Sequence, residues 1–331
     1  MKHDALGRRK RQFRTSTKRE LIIGPRDVEI FRLLQRYRYL RASQIRALLP
    51  DDIRGRSEKR FRERLGTLYH ERYLARPSQQ LATLNFYYAE SIYALDERGE
   101  AHLSTHGLDG PFSHLAAKAR AGAHKHFVHS MMVVDTLVSI ELGIRAESGL
   151  RFLNWQDVLA KMPPTTRNLP NPFLLPRVSV SHTLPGSNKT LRDDIALIPD
   201  SVFAIEYPTG FVLYLLEAEH KDCASRTTLK GNSFLRKALA YRELSRGRLF
   251  KQHFGTDSAI VLTITPSAAH MESLLKIINH ISGGAGSSVF AFQAIRVLGS
   301  APEAAPQYPK LGDLHWMRAG RPPLAVVQPW V

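Results

Sequence analysis

The N-terminal part of the chain alternates short stretches of helical apolar spacing with polar turns. In "VEIFRLL", which follows Pro25, apolar residues recur as on one face of a helix, and this pattern predicts a first helix ending near Arg38. "LRASQIRALLP" predicts a short second helix that stops at Pro50. Ser57 is a suitable N-cap for a third helix in "SEKRFRERLGTLYHERY", whose apolar stripe begins at Phe61.

The second half of the chain is more apolar and mixes helical with strand-like patterns. "HFVHSMMVVDTLVSIELGI" predicts a long core helix, and "RVSVSHTL", "DDIALIPDSVFAIEY" and "GFVLYLLEAEHKD" predict a meander of three strands. Helix, strand, helix and strand patterns then follow in "SFLRKALAYRELSRGRLF", "SAIVLTIT", "SAAHMESLLKIINHI" and "SVFAFQAI". This order predicts an α/β sandwich in which helices cover a mixed sheet.

Together these patterns predict a two-domain α/β protein. Residues 1–20 are basic and polar, as in a flexible arm. Three short helices followed by "YLARP" and "SIYALDERGEAHL" over residues 21–110 are typical of a winged helix-turn-helix domain, whose third helix enters the major groove of DNA. Residues 111–300 form the predicted α/β sandwich, and residues 301–331 form a C-terminal extension.

The charge of the chain indicates a polyanionic partner. Lys and Arg outnumber Asp and Glu by 47 to 30 among 331 residues, which gives a formal charge of +17 and a pI near 10.1. Residues 1–72 contain 21 Lys and Arg against 9 Asp and Glu, a net charge of +12, so most of the excess lies near the N-terminus. Double-stranded DNA is therefore the expected partner of this region.

The third predicted helix carries the candidate DNA-binding residues. Its cationic side chains fall mostly off the apolar stripe, where they could face phosphates or base edges. An exposed charged face is also compatible with simple solvation of the helix. The candidates are Arg56, Lys59, Arg60, Arg62 and Arg64.

Composition also excludes several classes of protein. The chain lacks an apolar run of about 18 residues and a signal peptide, so we expect a cytoplasmic protein without a membrane partner. Cys223 is the only cysteine, which excludes an internal disulfide and a cysteine-based zinc site. For His124, His126 and His129 we favour ordinary side chains over a metal site, because no Cys or clustered carboxylate accompanies them.

Acidic residues gather at the ends of two predicted strands. Pro199-Asp200 precedes one strand and Glu219-His220-Lys221 ends the next, and this arrangement resembles the PD-(D/E)XK nuclease superfamily. The resemblance implies that Asp200 and Glu219 bind Mg²⁺ or Mn²⁺ and that Lys221 activates the attacking water. Strand alternation places Glu217 on the same face as Glu219 and Lys221, so Glu217 is a third candidate metal ligand and catalytic residue.

A second register of this motif has a different consequence. If Glu217-Ala218-Glu219 takes the motif position, an acid replaces the lysine and the site is altered or inactive. This register matters because the chain also resembles the replication-relaxation family of plasmid and mobile-element proteins. In that family a winged helix precedes a domain in which a strand ending in Glu-x-Asp/Glu is followed by a Lys/Tyr-bearing helix. The matching segments are "RFRERLGTLYHERYLAR", "YALDERGEAHL", "HFVHSMMVVD", "IPDSVFAI", "LLEAEHKD" and "LRKALAYRE".

Two functions follow from these alternatives. The first is a plasmid or mobile-element protein that grips duplex DNA and cuts it with a Mg²⁺-dependent endonuclease domain. The second is a replication accessory factor or regulator that binds DNA without cutting it and uses the nuclease-like domain for assembly, for example as a homodimer.

Further candidate residues lie outside these motifs. Asp135 and Glu141 are possible further metal ligands. A phosphate track could include Arg226, Lys230, Arg236, Lys237, Arg242, Arg246 and Arg248.

Overall fold

The computed structural model describes residues 13–15, 21–80, 90–108, 124–183, 190–219, 233–257, 259–295 and 315–327. Within these ranges the chain is a mixed α/β protein with a seven-stranded mixed sheet, as the sequence predicts. It divides into two compact units, and the division falls between Val134 and Asp135. The predicted domain boundary at residue 110 lies outside the described residues.

The first unit consists of short helices around a small antiparallel sheet. Its strands are arranged in the order β1-β3-β2. The elements are α1 (Pro25–Tyr37), β1 (Leu40–Arg41), α2 (Ala42–Leu48), α3 (Asp51–Arg54), α4 (Glu58–His70), β2 (Leu74–Ala75), β3 (Ile92–Leu95) and α5 (Glu97–Thr105). The three predicted helices are therefore present. The segment "SIYALDERGEAHL" divides into β3 and α5, because the Asp96 side chain caps the new helix by accepting a hydrogen bond from the Glu97 amide at 2.8 Å.

Helix α4 is fixed by its cap and by its apolar face. Ser57 Oγ accepts a hydrogen bond from the Arg60 amide at 3.3 Å, which confirms the predicted N-cap. Phe61, Leu65 and Leu68 are buried in the core of the first unit, so the opposite face of α4 is turned to solvent. The position of the cationic side chains follows from this burial.

Helix α6 (His124–Ala146) is the predicted long core helix. Phe127 and Met131 pack with Tyr39 and Ile92 in a buried apolar cluster of the first unit. The stretch Phe127–Ala146 is long and apolar enough to cross a membrane by length and composition, and 72% of its 18-residue apolar window is buried inside the structure.

The second unit is built on the seven-stranded sheet, whose order is β12-β11-β10-β9-β8-β7-β4. Strands β8, β9 and β10 are parallel, and the remaining neighbours are antiparallel. The elements are β4 (Arg151–Leu153), α7 (Trp155–Lys161), α8 (Pro164–Arg167), β5 (Val178–Thr183), β6 (Thr190–Ile195), β7 (Ser201–Tyr207), β8 (Gly210–Ala218), α9 (Phe234–Arg246), α10 (Leu249–Phe254), β9 (Ala259–Thr265), α11 (Ala268–Ile281), β10 (Phe290–Ala294), β11 (His315–Arg318) and β12 (Arg321–Ala325).

The predicted meander of three strands is wrong. "DDIALIPDSVFAIEY" forms two strands, β6 and β7, and β6 pairs with β5 in a separate two-stranded sheet. The break lies near Pro199, which has no amide hydrogen to continue a ladder. The two sheets also differ in environment, because β5, the partner of β6, alternates buried with exposed positions over its first four residues, whereas nearly all of β7 is buried.

Residues 315–327, which fall in the predicted C-terminal extension, form the edge of the main sheet. Strand β11 pairs with β10 and β12 pairs with β11. The indole of Trp316 is fully buried, and the Tyr207 hydroxyl donates a hydrogen bond to the Val326 carbonyl at 2.6 Å. This segment is thus part of the second unit.

An internal ion pair joins α4 to the start of α1. Arg64 Nε donates to Asp27 Oδ1 at 3.0 Å and Arg64 Nη2 donates to Asp27 Oδ2 at 2.5 Å. The same carboxylate accepts the Gly24 amide at 3.1 Å and so also caps α1. Because the Asp27 side chain is buried, loss of Arg64 leaves a carboxylate without its counter-ion.

We predict that Arg64→Ala lowers the free energy of unfolding by about 2 kcal/mol, as expected for a hydrogen bond to a charged group. Arg62→Ala is the matched control, because Arg62 pairs with Glu58 on the exposed side of the same helix. That change should cost no more than about 0.5 kcal/mol. Urea unfolding followed by circular dichroism measures both, and equal losses would contradict a structural role for Arg64.

Candidate functional site

The hairpin of β7 and β8 brings the predicted acidic residues together. Ser201 pairs with Leu216 in antiparallel register, so continuing the register by one residue places Asp200 opposite Glu217. Asp200 Oδ2 accepts a hydrogen bond from the Ala218 amide at 2.8 Å. The Pro-Asp pair therefore lies at the end of β8 where Glu217 and Glu219 are found.

Helix α9 adds a lysine and a tyrosine to these acids. Lys237 Nζ donates to Glu217 Oε2 at 2.7 Å and to Glu219 Oε1 at 2.8 Å. The Tyr241 hydroxyl donates to Glu217 Oε1 at 2.5 Å. Lys237 and Tyr241 are four residues apart and so lie on one helix face. We call Asp200, Glu217, Glu219, Lys237 and Tyr241 the acidic centre.

The local sequence explains why α9 lies over this part of the sheet. The Ser233 side chain caps the helix by accepting the Arg236 amide at 3.3 Å. The Phe234 ring contacts Phe292 of β10 at a centroid distance of 5.9 Å. Tyr241 likewise contacts Phe290 at 6.2 Å, so its ring is packed against the sheet while its hydroxyl reaches Glu217.

Burial governs the electrostatics of the acidic centre. The exposed fractions of Glu217 and Glu219 are only 3% and 5%. Burial raises the pKa of Glu217 to about 7, against the opposing attraction of Lys237, and the nearby Asp200 raises it further. Burial acts to lower the pKa of Lys237, but the carboxylates of Glu217, Glu219 and Asp200 outweigh this and raise it above its ordinary value. The lysine therefore stays charged.

The arrangement does not fit the predicted metal site of Asp200, Glu217 and Glu219. Among the residues that the structure describes, no group of three His, Cys, Asp or Glu side chains is placed to hold a metal ion. The physical reason is that the Lys237 ammonium stands between Glu217 and Glu219 and pairs with both, so it occupies the place that a metal ion would take. In this arrangement the acidic centre holds the protonated amine of Lys237 between the buried carboxylates of Glu217 and Glu219.

The remaining predicted catalytic residue, Lys221, falls within 220–232, outside the described residues. Glu141 on α6 is buried and pairs with Arg145 one turn later on the same helix. The described geometry favours the second register of the motif, in which Glu217 and Glu219 take the motif positions and the lysine comes from a helix.

The predicted DNA-binding residues of the first unit separate into two groups. Arg56, Lys59, Arg60 and Arg62 are exposed at the beginning of α4. Within the described part of the chain, Lys59 and Arg60 form no ion pair through their side chains, whereas Arg62 pairs with Glu58 at 2.5 Å. Arg64 differs from the prediction, because its guanidinium is bonded to Asp27 inside the unit.

Lys237 was predicted as part of a phosphate track, and the resemblance to the family implied a Lys/Tyr-bearing helix without assigning Lys237 or Tyr241 to the acidic residues. The available signal was the helix "LRKALAYRE", in which Lys237 and Tyr241 share a face after a strand ending in Glu-x-Glu. Arg236 and Arg242 from the same proposed track also bond within the unit. Arg236 Nε donates to Asp193 Oδ2 at 2.7 Å, and Arg242 Nη1 donates to the Ile281 carbonyl at 3.1 Å.

A family model described as replication-relaxation matches residues 31–260. The matched segment begins within α1 and ends in β9, so it includes α4 of the first unit and all five residues of the acidic centre. No match is found among curated proteins or among solved structures.

We predict that Glu217 makes the second unit less stable as pH rises. A carboxyl with a raised pKa holds its proton in the folded state at a pH where the unfolded chain has lost it, so stability is highest below the ordinary value of 4.5 and falls through about 7. Glu217→Gln should flatten this fall in urea unfolding between pH 5 and 8, a range set on the order of the two pKa values.

The control for this experiment is Glu206→Gln, which changes an acid on the same hairpin that pairs with Arg151 near the surface. It should leave the pH dependence of stability close to that of the unaltered protein. A slope in Glu217→Gln as steep as in the unaltered protein would show that the Glu217 carboxyl is ionised throughout this range.

Proposed function

We propose that the chain, which belongs to the replication-relaxation family, is a replication-related protein of a plasmid or mobile element and works by binding duplex DNA. The observation that carries this proposal is the exposed cationic start of α4, described above. A basic face on a helix whose apolar face is buried in a small domain is the usual electrostatic footprint of a DNA-binding module.

The order of elements in the first unit supports a winged helix-turn-helix. Helices α1, α2 and α4 precede two strands, β2 and β3, that pair antiparallel with Leu74 opposite Leu95. In such domains the third long helix enters the major groove and the strands contact the neighbouring backbone. On this proposal Lys59 and Arg60 contact DNA, while Arg64 holds α4 in place from behind.

The acidic centre supports a structural role for the second unit in this DNA-binding protein. Its buried acids pair with the Lys237 ammonium, and Glu217 also accepts the Tyr241 hydroxyl, so α9 is tied to β8 by groups of the same chain. The second unit then serves as a rigid body for assembly with other replication components.

A second candidate function is cleavage of DNA by the second unit. The observation that favours it is the order α6, β4, β7, β8, α9 and β9, with β8 parallel to β9. Asp200 comes immediately before β7, and Glu217 lies near the end of β8. This order resembles the core of PD-(D/E)XK nucleases, in which Mg²⁺ or Mn²⁺ is held by such acids. The position of Lys237 argues against a bound metal ion and makes this the weaker candidate.

We predict that Lys59→Ala weakens binding to a DNA duplex and lowers the slope of log K against log salt by about 0.9, the value for one lost phosphate contact. Lys276→Ala is the matched control, because Lys276 is also an exposed lysine on a helix, α11, outside the proposed surface. Fluorescence anisotropy over a salt series measures both variants. Equal effects of the two changes would contradict a specific role for α4.

The nuclease candidate has its own test on supercoiled plasmid. It expects nicking in Mg²⁺ or Mn²⁺ that falls at least about tenfold in Asp200→Ala, a loss of roughly 1.4 kcal/mol of transition-state stabilisation. Asp194→Ala is the control, because Asp194 is an exposed acid on β6 that accepts the Ser179 hydroxyl. Nicking that persists undiminished in Asp200→Ala would exclude the acidic centre as its source.

A further inference from the structure

We propose that the Lys237 ammonium is the resident cation of the acidic centre, and that a divalent cation binds there only when this ammonium is removed. The centre is thus a cation site that the chain fills with its own side chain. The inference is independent of DNA binding by the first unit, since it concerns only the ion network of the second.

The position of the ammonium is the first support for this inference. Lys237 Nζ lies within hydrogen-bond distance of two carboxylates that belong to different residues, at 2.7 Å from Glu217 and 2.8 Å from Glu219. A cation that bridges two carboxylates in this way occupies the place that a divalent ion with oxygen ligands requires. An ammonium and a divalent ion in the same place would repel each other and compete for Glu217 Oε2 and Glu219 Oε1, so binding of one opposes binding of the other.

The burial of the two acids is the second support. Glu217 and Glu219 are almost fully buried, and an isolated carboxylate in such a place is strongly unfavourable. The side chain of Lys237 itself is only 19% exposed. Removal of the ammonium therefore leaves two acids that must gain protons or another cation.

The buried hydroxyl of Thr263 on β9 is the third and independent support. It offers a divalent cation an oxygen ligand that the Lys237 ammonium does not use. It pairs in parallel register with Glu217, so the two side chains project to the same face of the sheet. Phe292, its partner on the other side, touches Phe234 of α9, which identifies this face as the one that α9 covers. The Thr263 hydroxyl is fully buried, and among the described residues it has no hydrogen-bond partner.

A buried hydroxyl without a hydrogen-bond partner lowers the stability of the fold unless a water molecule or a ligand binds to its oxygen. Lys237 uses the two carboxylates and leaves this oxygen aside. Alcohol and carboxylate oxygens are hard ligands that suit Mg²⁺ and Mn²⁺. The latent site therefore consists of Glu217, Glu219 and Thr263, with Asp200 at its edge.

The test is Mn²⁺ binding by electron paramagnetic resonance to the full chain, with and without Lys237→Ala. We expect saturable Mn²⁺ binding to the variant and no saturable binding to the unaltered protein. The Kd of the variant should lie at least about tenfold below the lower limit measured for the unaltered protein. Mn²⁺ should also raise the Tm of the variant and leave that of the unaltered protein unchanged, because only the variant has acids without a counter-ion.

Thr263→Val in the Lys237→Ala background tests the hydroxyl and should weaken Mn²⁺ binding again by at least about threefold, as for one lost ligand interaction. Thr265→Val is the matched control, because Thr265 is also fully buried on β9 but its hydroxyl already donates to the Ser267 carbonyl, at 3.0 Å. That change should leave the affinity for Mn²⁺ unaltered.

Tight Mn²⁺ binding to the unaltered protein would overturn the inference and favour the nuclease candidate. Absence of binding in both Lys237→Ala and the milder Lys237→Gln would also overturn it. If Lys237→Ala is unfolded, refolding on addition of Mn²⁺ supports the inference and failure to refold contradicts it. Binding of duplex DNA, measured separately, distinguishes these outcomes from failure of the proposed function.

Discussion

The contact on which the second unit depends is the bridge from Lys237 to two buried glutamates. A lone lysine or a lone carboxylate would be costly at this depth, and each is tolerated only because the others are present. The hydrogen bonds are directional, so they fix not only that α9 packs on β8 but also which turn of α9 lies there. Apolar packing of Phe234 and Tyr241 on β10 then follows the same alignment.

The first and second units use charge in opposite ways. In the first unit the cations at the start of α4 are exposed. Arg64 of the same helix instead forms an ion pair with the buried Asp27 and so fixes α4 against α1. In the second unit the acids near the end of β8 are turned inward and neutralised locally. The segment that matches the family model includes both arrangements.

Much of this could be predicted from short-range patterns. Helix periodicity and the Ser57 cap located α4, strand alternation placed Glu217 and Glu219 on one side, and the hairpin brought Asp200 beside them. Lys237 could not be predicted in the same way, because it meets Glu217 across 20 residues of sequence and its burial depends on tertiary packing. A lysine on an amphipathic helix is usually solvated, and the signal for this one is the resemblance of "LRKALAYRE" to the Lys/Tyr-bearing helix of the family. The division of β6 from β7 was missed for a similar reason, since a strand pattern does not reveal which sheet it joins.

The edge strands β11 and β12 have a consequence for biosynthesis. Tyr207, the last residue of β7, donates a hydrogen bond to Val326, which is 119 residues later in the chain. During translation the edge of β10 that pairs with β11 stays unpaired until residues 315–327 have left the ribosome. Contacts of such long sequence separation form slowly, and unpaired strand edges attract other chains. The second unit therefore exposes an unpaired strand edge until its last strands are synthesised, and this edge is where association with other chains would begin.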